Sequence, residues 1–330
     1  MKEGLKCAAV FIGTVIGAGF ATGQEVLLYF GRSSIAVPIF SGILLGLFNA
    51  YFLAIGAKFN DRINEHMLQN KAKALYDVCM FICAYITFIA MFSGVETLFV
   101  KIFDIKYTSV AWVVAAGFIA ANGLRFMKGL NSVAVPVILL LAVVIFVYSD
   151  KEKASGAYNF FNGITYAAMN VMLSMGVMIR LGKTATKKSI WASGCVTAVV
   201  MATMLALITL VVKKSGGEMP VYAAADKVGL KYAAGAVILL SVFTTMVSAL
   251  ETAAEIIAPD EKKKTAGVIF VTLLSLPFVG LFSFEDIVDY YYPVVSGMGI
   301  LIVIVLSVFV IFKKRDGKIK KSVDFYSQIL

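Results

Sequence analysis

The sequence is poor in charged residues, since Asp, Glu, Lys and Arg make up only 15% of its 330 residues. Hydrophobic residues make up 60%, and the mean hydropathy is +0.88. A soluble domain carries about 25% charged residues, so this composition excludes that class. The net charge of +10 comes from short clusters between apolar runs. No basic stripe runs along the chain, so we expect the lipid bilayer as its partner and no nucleic acid.

Residues that serve catalysis or metal binding are also scarce. The chain has one histidine, no HExxH sequence, no Gly-Lys-Ser/Thr phosphate loop and no convincing Ser/His or Asp pair. We therefore expect a protein that is not an enzyme, needs no cofactor and does not use ATP itself. The four cysteines lie in or beside apolar segments without neighbouring histidines, which predicts packing residues: Cys7, Cys79, Cys83 and Cys195.

The main feature of the sequence is its long apolar segments. A membrane core of ~30 Å takes about 20 apolar residues per helix, and ten segments qualify. They predict an all-α membrane protein with ten transmembrane helices. The segments are 7–31, 35–58, 75–102, 107–123, 131–149, 160–181, 187–212, 230–257, 264–282 and 287–312.

An even number of spans places both termini on one side of the membrane. With both termini in the cytoplasm, most of the 30 Lys and Arg residues fall on the inner side, as the positive-inside rule requires. The sequence therefore predicts a multi-pass protein of the cytoplasmic (inner) membrane. We expect one transmembrane domain over residues 1–330, which ends in a cytoplasmic tail, 313–330.

The first apolar segment contains an unusual concentration of glycine. Gly13, Gly17, Gly19 and Gly23 fall within eleven positions, and Glu25 follows two residues later. Glycine weakens a helix interior, and non-helical backbone survives in a membrane only against protein or a water-lined cavity. We interpret this stretch as a broken helix whose free backbone groups bind a ligand. Close helix packing through small residues is the alternative.

Ten helices divide into two halves of five, which have opposite orientations because five is odd. This arrangement is expected of an inverted repeat, in which the first unit covers about 7–149 and the second about 160–312. The sixth segment is then the partner of the first and is also expected to be broken. Asn170 lies in its middle, where an amide is costly unless it caps a helix end or binds a ligand. An Asn170 packed against a neighbouring helix is the alternative.

With ten helices, five to each half, and the run Gly17-Ala18-Gly19-Phe20-Ala21-Thr22-Gly23-Gln24-Glu25, the chain resembles the LeuT-type transporters of the amino acid–polyamine–organocation superfamily. Within it, the motif is most similar to the YkvI-like membrane proteins. The resemblance implies alternating access, with the substrate held at mid-membrane between broken helices one and six. The implied substrate-binding residues are Val15, Ala18, Gly19, Phe20, Tyr166 and Asn170.

The resemblance also implies a sodium site. Sodium-coupled members use two carbonyls before the first break, with one carbonyl and two adjacent hydroxyls in helix eight. These map onto the carbonyls of Gly13, Ile16 and Ser241 and the hydroxyls of Thr244 and Thr245. Threonine hydroxyls commonly bond back to their own helix, so the Thr pair by itself is not specific.

Two departures from the family pattern limit the ions that are expected to drive transport. The second sodium site of some relatives uses an Asn where this chain has Phe20, so at most one sodium is expected. The lysine of a proton-coupled branch is absent, because 131–149 contains no basic residue.

Two further carboxylates are candidates for coupling or gating. Glu25 lies about two turns beyond the break, where a carboxylate serves as a proton carrier, a partner for a substrate amine or half of a gate ion pair. A carboxylate that reaches outer water is the alternative. Glu251 follows Thr244 by seven residues on the same helix face, which places it along an inner exit path.

These observations predict a secondary active transporter that moves a small amino acid or related zwitterion with sodium. The alternatives are a nutrient receptor on the same fold that does not transport, and a proton-coupled carrier of another small metabolite. A channel is disfavoured because no ring of pore charges is visible. No obligate protein partner is evident.

Overall fold

The computed structural model describes residues 2–59, 71–122, 125–148, 156–215, 217, 219–278 and 281–327. Within these ranges the chain is helical and contains no strand. The only extended pairing found there is an isolated bridge between Ser33 and Ala157. The prediction of an all-α protein is therefore confirmed. Part of the basic segment between the second and third predicted spans, residues 60–70, lies outside the described residues.

The first predicted span consists of three short helices, and each later one contains a single main helix. Connections of ten residues or fewer join most neighbouring helices. Two 3₁₀ turns, Glu261–Lys263 and Leu276–Phe278, flank α12. The predicted tail continues the last helix. In chain order the helices are α1 (Lys2–Val15), α2 (Ala18–Thr22), α3 (Gln24–Phe30), α4 (Ala36–Phe59), α5 (Lys71–Phe103), α6 (Thr108–Asn122), α7 (Arg125–Tyr148), α8 (Phe160–Gly182), α9 (Lys187–Ser215), α10 (Pro220–Lys227), α11 (Lys231–Ile257), α12 (Lys264–Ser275) and α13 (Phe284–Ser327).

Five of the described helices are long and apolar enough to cross a membrane: Ala36–Lys58, Ala74–Phe103, Lys187–Ser215, Lys231–Ile257 and Phe284–Val308. Helix α8 makes a sixth if its two parts, which meet at 65°, count as one span. The chain is thus a multi-pass membrane protein. The apolar stretches of α6, α7 and α12 are shorter than a full span. Ten crossings and the inverted repeat therefore stay predictions.

Small residues bring α4 and α9 into close contact. A Cβ added to Gly46 would lie 2.6 Å from the Gly194 carbonyl oxygen, and one added to Gly194 would lie 3.1 Å from the Gly46 carbonyl oxygen. Close backbone approach of this kind is a main source of helix association in lipid, where apolar side chains gain nothing over lipid tails. Asn49 reinforces the contact, since its Nδ2 donates to Ser193 Oγ at 2.9 Å and to Thr197 Oγ1 at 2.8 Å.

The interior and the periphery of the helix assembly are both apolar. Phe11, Phe20 and Tyr166 are fully buried near the first helices, whereas Val114 and Trp191 are more than half exposed on outer helix faces. Exposed apolar side chains of this size suit contact with lipid. The cysteines are all free thiols, and three of them are buried in the core, as expected of packing residues; Cys195 is exposed.

Candidate functional site

The first helix is broken where the glycine pattern predicts it. Helix α1 ends at Val15, and Gly17 has an extended backbone with φ −104° and ψ −161° before α2 begins. The Gly17 N–H donates to the Val15 carbonyl at 2.9 Å instead of to the Gly13 carbonyl four residues back. No hydrogen bond from the described residues reaches the carbonyl oxygens of Gly13 and Ile16. Thr14 loses its helical donor too, because the Ala18 N–H donates to Thr245, so the break leaves backbone acceptors free at Gly13, Thr14 and Ile16.

A second interruption follows at Gly23, which the sequence interpretation did not anticipate. Its φ of +81° lies in the left-handed region, and it ends α2 and precedes α3. A Cβ here would lie 2.7 Å from Val221 Cγ2 and 2.8 Å from Val212 Cγ1. Both the backbone conformation and the packing of α10 over this point therefore require glycine.

Helix α11 meets the first break through Thr245. The Ala18 N–H donates to Thr245 Oγ1 at 3.3 Å, and a Cβ on Gly17 would lie 3.2 Å from the same oxygen. The Thr244 hydroxyl donates to the Ser241 carbonyl at 3.0 Å, one turn earlier on α11. The structure thus brings Thr245 to the broken segment. The role of these residues in binding sodium stays a prediction.

The residues expected to bind substrate are buried around this segment. Val15, Ala18 and Phe20 are at most 3% exposed, and Tyr166 of α8 is fully buried. The ring of Tyr166 packs on two aromatic rings of α3, with centroids 5.5 Å from Tyr29 and 5.0 Å from Phe30. Helix α8 therefore contacts the broken helix through aromatic side chains.

Helix α8 runs from Phe160 to Gly182 and bends sharply within its length. Its two parts, 160–172 and 174–182, meet at 65° shortly after Asn170, near the predicted break. Asn170 Nδ2 donates to the Tyr166 carbonyl at 3.0 Å, and Ser174 Oγ donates to the Asn170 carbonyl at 3.0 Å. Asn170 is thus bonded within its own helix, and it caps no helix end.

The carboxylate of Glu25 reaches back over the broken segment. A Cβ on Gly19 would overlap the Glu25 carboxylate, so the carboxylate in this position lies directly against the Gly19 backbone. Glu25 is 8% exposed, and no hydrogen bond or ion pair joins it to the described residues. A buried carboxylate without a partner is expensive, which marks this position as functional.

Three tyrosines lie within electrostatic range of Glu25. Its carboxylate interacts electrostatically with the phenol groups of Tyr29, Tyr166 and Tyr292. The Tyr29 hydroxyl is 2.6 Å from Ser296 Oγ, which links α3 to α13. Sequence analysis missed Tyr29 and Tyr292, although Tyr29 follows Glu25 by four residues and so shares its helix face.

A cavity of about 380 Å³ lies between α5, α8 and α11. Charged side chains line it, among them Asp77, Arg180 and Glu255. Glu251 forms an ion pair with Lys264 at the start of α12. Its predicted place on an exit path stays a prediction, and Glu255, one turn later, is the carboxylate that lines the cavity.

No group of three or more His, Cys, Asp and Glu side chains that could hold a metal ion occurs in the described ranges.

No protein-family model matches the chain. It is 24% identical over a 341-residue alignment to the "Uncharacterized protein YyaD" of Bacillus subtilis (strain 168), which covers 95% of this chain and 98% of the relative. It is also 24% identical over 230 residues to the "Uncharacterized membrane protein YkvI" of the same organism. That alignment covers 62% of this chain and 66% of the relative. The similarity to YkvI agrees with a multi-pass membrane protein.

Proposed function

We propose that the chain is a LeuT-type secondary active transporter that carries a small amino acid or related zwitterion together with sodium. The observation that carries this proposal is the broken segment between α1 and α2, which lies buried among other helices with free carbonyls that include those of Gly13 and Ile16. In a membrane such backbone persists where it binds a ligand or lines a cavity. Alternating access would rock the helices that contact this segment against the others.

The packing of α4 against α9 supports the inverted repeat. In a repeat of five helices these two are equivalent, so the surface each presents to the other must be the same. Gly46 and Gly194 meet this condition, because each approaches the carbonyl of the other. A Cβ on Gly46 would also meet Ala198, and one on Gly194 would meet Ala50, four residues on in each helix.

The predicted sodium ligands fit a hard cation. The carbonyls of Gly13 and Ile16 accept no hydrogen bond from the described residues, and Thr245 Oγ1 lies beside the same break. Thr244 and Ser241 would complete an oxygen-only set from the neighbouring turn of α11. Sodium held there would join α1 to α11 and so favour the conformation in which they meet, which couples ion binding to movement.

Counterflow in proteoliposomes tests this function. Amino acids are first screened by thermal shift with and without sodium, because ligands that bind the native state raise its stability. Proteoliposomes preloaded with the best unlabelled ligand should then accumulate its labelled form. Binding without accumulation would contradict transport and favour the receptor alternative.

A proton-coupled carrier is the second candidate, and the burial of the unpaired Glu25 carboxylate favours it. Uptake with potassium in place of sodium, driven by an imposed pH gradient, separates the two. Sodium symport predicts that uptake falls to background in potassium at every pH.

A further inference from the structure

In the described core, Glu25 is a buried carboxylate that lies directly against a glycine of the broken segment, Gly19. The overlap of a Gly19 Cβ with this carboxylate shows that the two occupy the same space beside the broken backbone. Glu25 pairs with no Lys, Arg or hydrogen-bond donor of the described residues. A negative group in this position attracts a cationic group from outside the chain.

The surroundings of Glu25 are suited to an ammonium group in particular. Tyr166 is fully buried, and its hydroxyl forms no hydrogen bond of normal geometry within the described part of the chain, although the Asn170 side chain interacts with it. A primary ammonium has three donors, which the carboxylate oxygens and a phenol oxygen can accept. The faces of tyrosine rings add cation–π attraction.

We propose that Glu25, with Tyr166, binds the protonated amine of the ligand beside Gly19. The inference rests on the proposed function, since it concerns the same site, and it names the group that every ligand must carry. An anion without an amine is excluded by the carboxylate. Sodium is assigned to the separate oxygen set at Gly13 and Ile16, on the other side of Gly17.

Thermal shift of the purified full-length protein tests this assignment with simple probes. Propylammonium chloride supplies the amine alone, sodium propionate supplies a carboxylate of similar size, and sodium chloride and potassium chloride control for ions. Propylammonium should raise the unfolding temperature of the wild type saturably above the potassium control. Propionate should add nothing to the effect of sodium chloride.

Variants assign the response to Glu25. Glu25→Gln keeps the shape and removes the charge, so the affinity for propylammonium should fall about tenfold or more. Tyr166→Phe, which removes only the hydroxyl, should weaken it by a smaller factor and serves if Glu25→Gln does not fold. Glu255→Gln, which changes a carboxylate on α11, is the matched control and should respond as the wild type does.

The inference is overturned if propylammonium gives the wild type no shift above potassium, or if Glu25→Gln responds like the wild type. If Glu25→Gln does not fold, a wild-type response of Tyr166→Phe overturns it. It is also overturned if Glu25→Gln loses the sodium response and keeps the propylammonium response. A saturable propylammonium response that depends on Glu25 supports the amine site even if counterflow fails, in which case only the transport function is lost.

Discussion

The broken first span and the bent α8 are the two halves of one prediction, and they differ in how the backbone departs from a helix. In the first span, glycines at 17 and 23 interrupt the hydrogen bonding, and Gly23 takes a positive φ. In α8, Asn170 and Ser174 bond carbonyls of their own helix beside the point where its two parts meet at 65°. Glycine frees backbone groups for a ligand, whereas a back-bonding polar side chain satisfies them and only changes the axis.

The largest effect is expected at Gly19. In Gly19→Val the new side chain displaces the Glu25 carboxylate and crowds the ligand space, so affinity should fall by about 100-fold or more. The expected loss combines about 1–3 kcal/mol for overpacking with about 1.5–3 kcal/mol for the charged contact. Titration calorimetry with the ligand found by thermal shift measures it. Gly297→Val on α13, where a Cβ meets nothing within 4 Å, is the control. Full affinity in Gly19→Val would place the ligand elsewhere.

Gly23→Ala should destabilise the fold by about 2–5 kcal/mol. About 1–2 kcal/mol comes from the left-handed backbone and about 1–3 kcal/mol from contact with Val221 and Val212. Gly229→Ala isolates the first part, because Gly229 has φ +76° and open space around it. Urea unfolding followed by circular dichroism compares the two variants. Equal destabilisation of both would show that α10 does not press on the second break.

Thr245→Ala should raise the sodium concentration for half-maximal uptake by about 5- to 150-fold. Loss of a partner to a charged group costs about 1–3 kcal/mol, and each 1.4 kcal/mol is a factor of ten. Substrate selectivity should not change, because Thr245 contacts the break through Ala18 and not through Glu25. Initial uptake over a sodium series at fixed pH measures this. Thr252→Ala, lower on α11, should match the wild type, and an unchanged sodium dependence in Thr245→Ala would count against the ion site.

The smallest effect is expected on α8. Gly176 lies in the second part of this helix, and a Cβ there would meet only Tyr76 Oη at an ordinary 3.4 Å. Gly176→Ala should therefore stabilise the protein by about 0.5–1 kcal/mol and leave ligand binding intact. The same unfolding and calorimetry experiments apply. If Gly176→Ala lost ligand binding, α8 would need free backbone as the first span does, and the contrast between them would disappear.

Much of this contrast follows from the sequence, but its details do not. The run from Gly13 to Gly23 predicts a broken first helix because glycine acts through the local backbone, which sequence reports directly. The interruption at Gly23 was missed because its positive φ depends on the packing of α10, which comes from the far half of the chain. The position of Glu25 over Gly19 depends on how α3 turns back, and Tyr292 joins it from α13. Such contacts are tertiary, so the sequence does not report them. In a sequence, an aromatic residue of a binding site cannot be distinguished from one in a hydrophobic core.

Equilibrium binding of labelled sodium to the purified protein tests the central claim, that the broken segment and α11 together form an ion site. The wild type should bind sodium saturably, and the variant with both Thr244→Ala and Thr245→Ala should lose that binding while it unfolds at a similar temperature. Absence of saturable binding in the wild type, or undiminished binding in the double variant, would contradict the account.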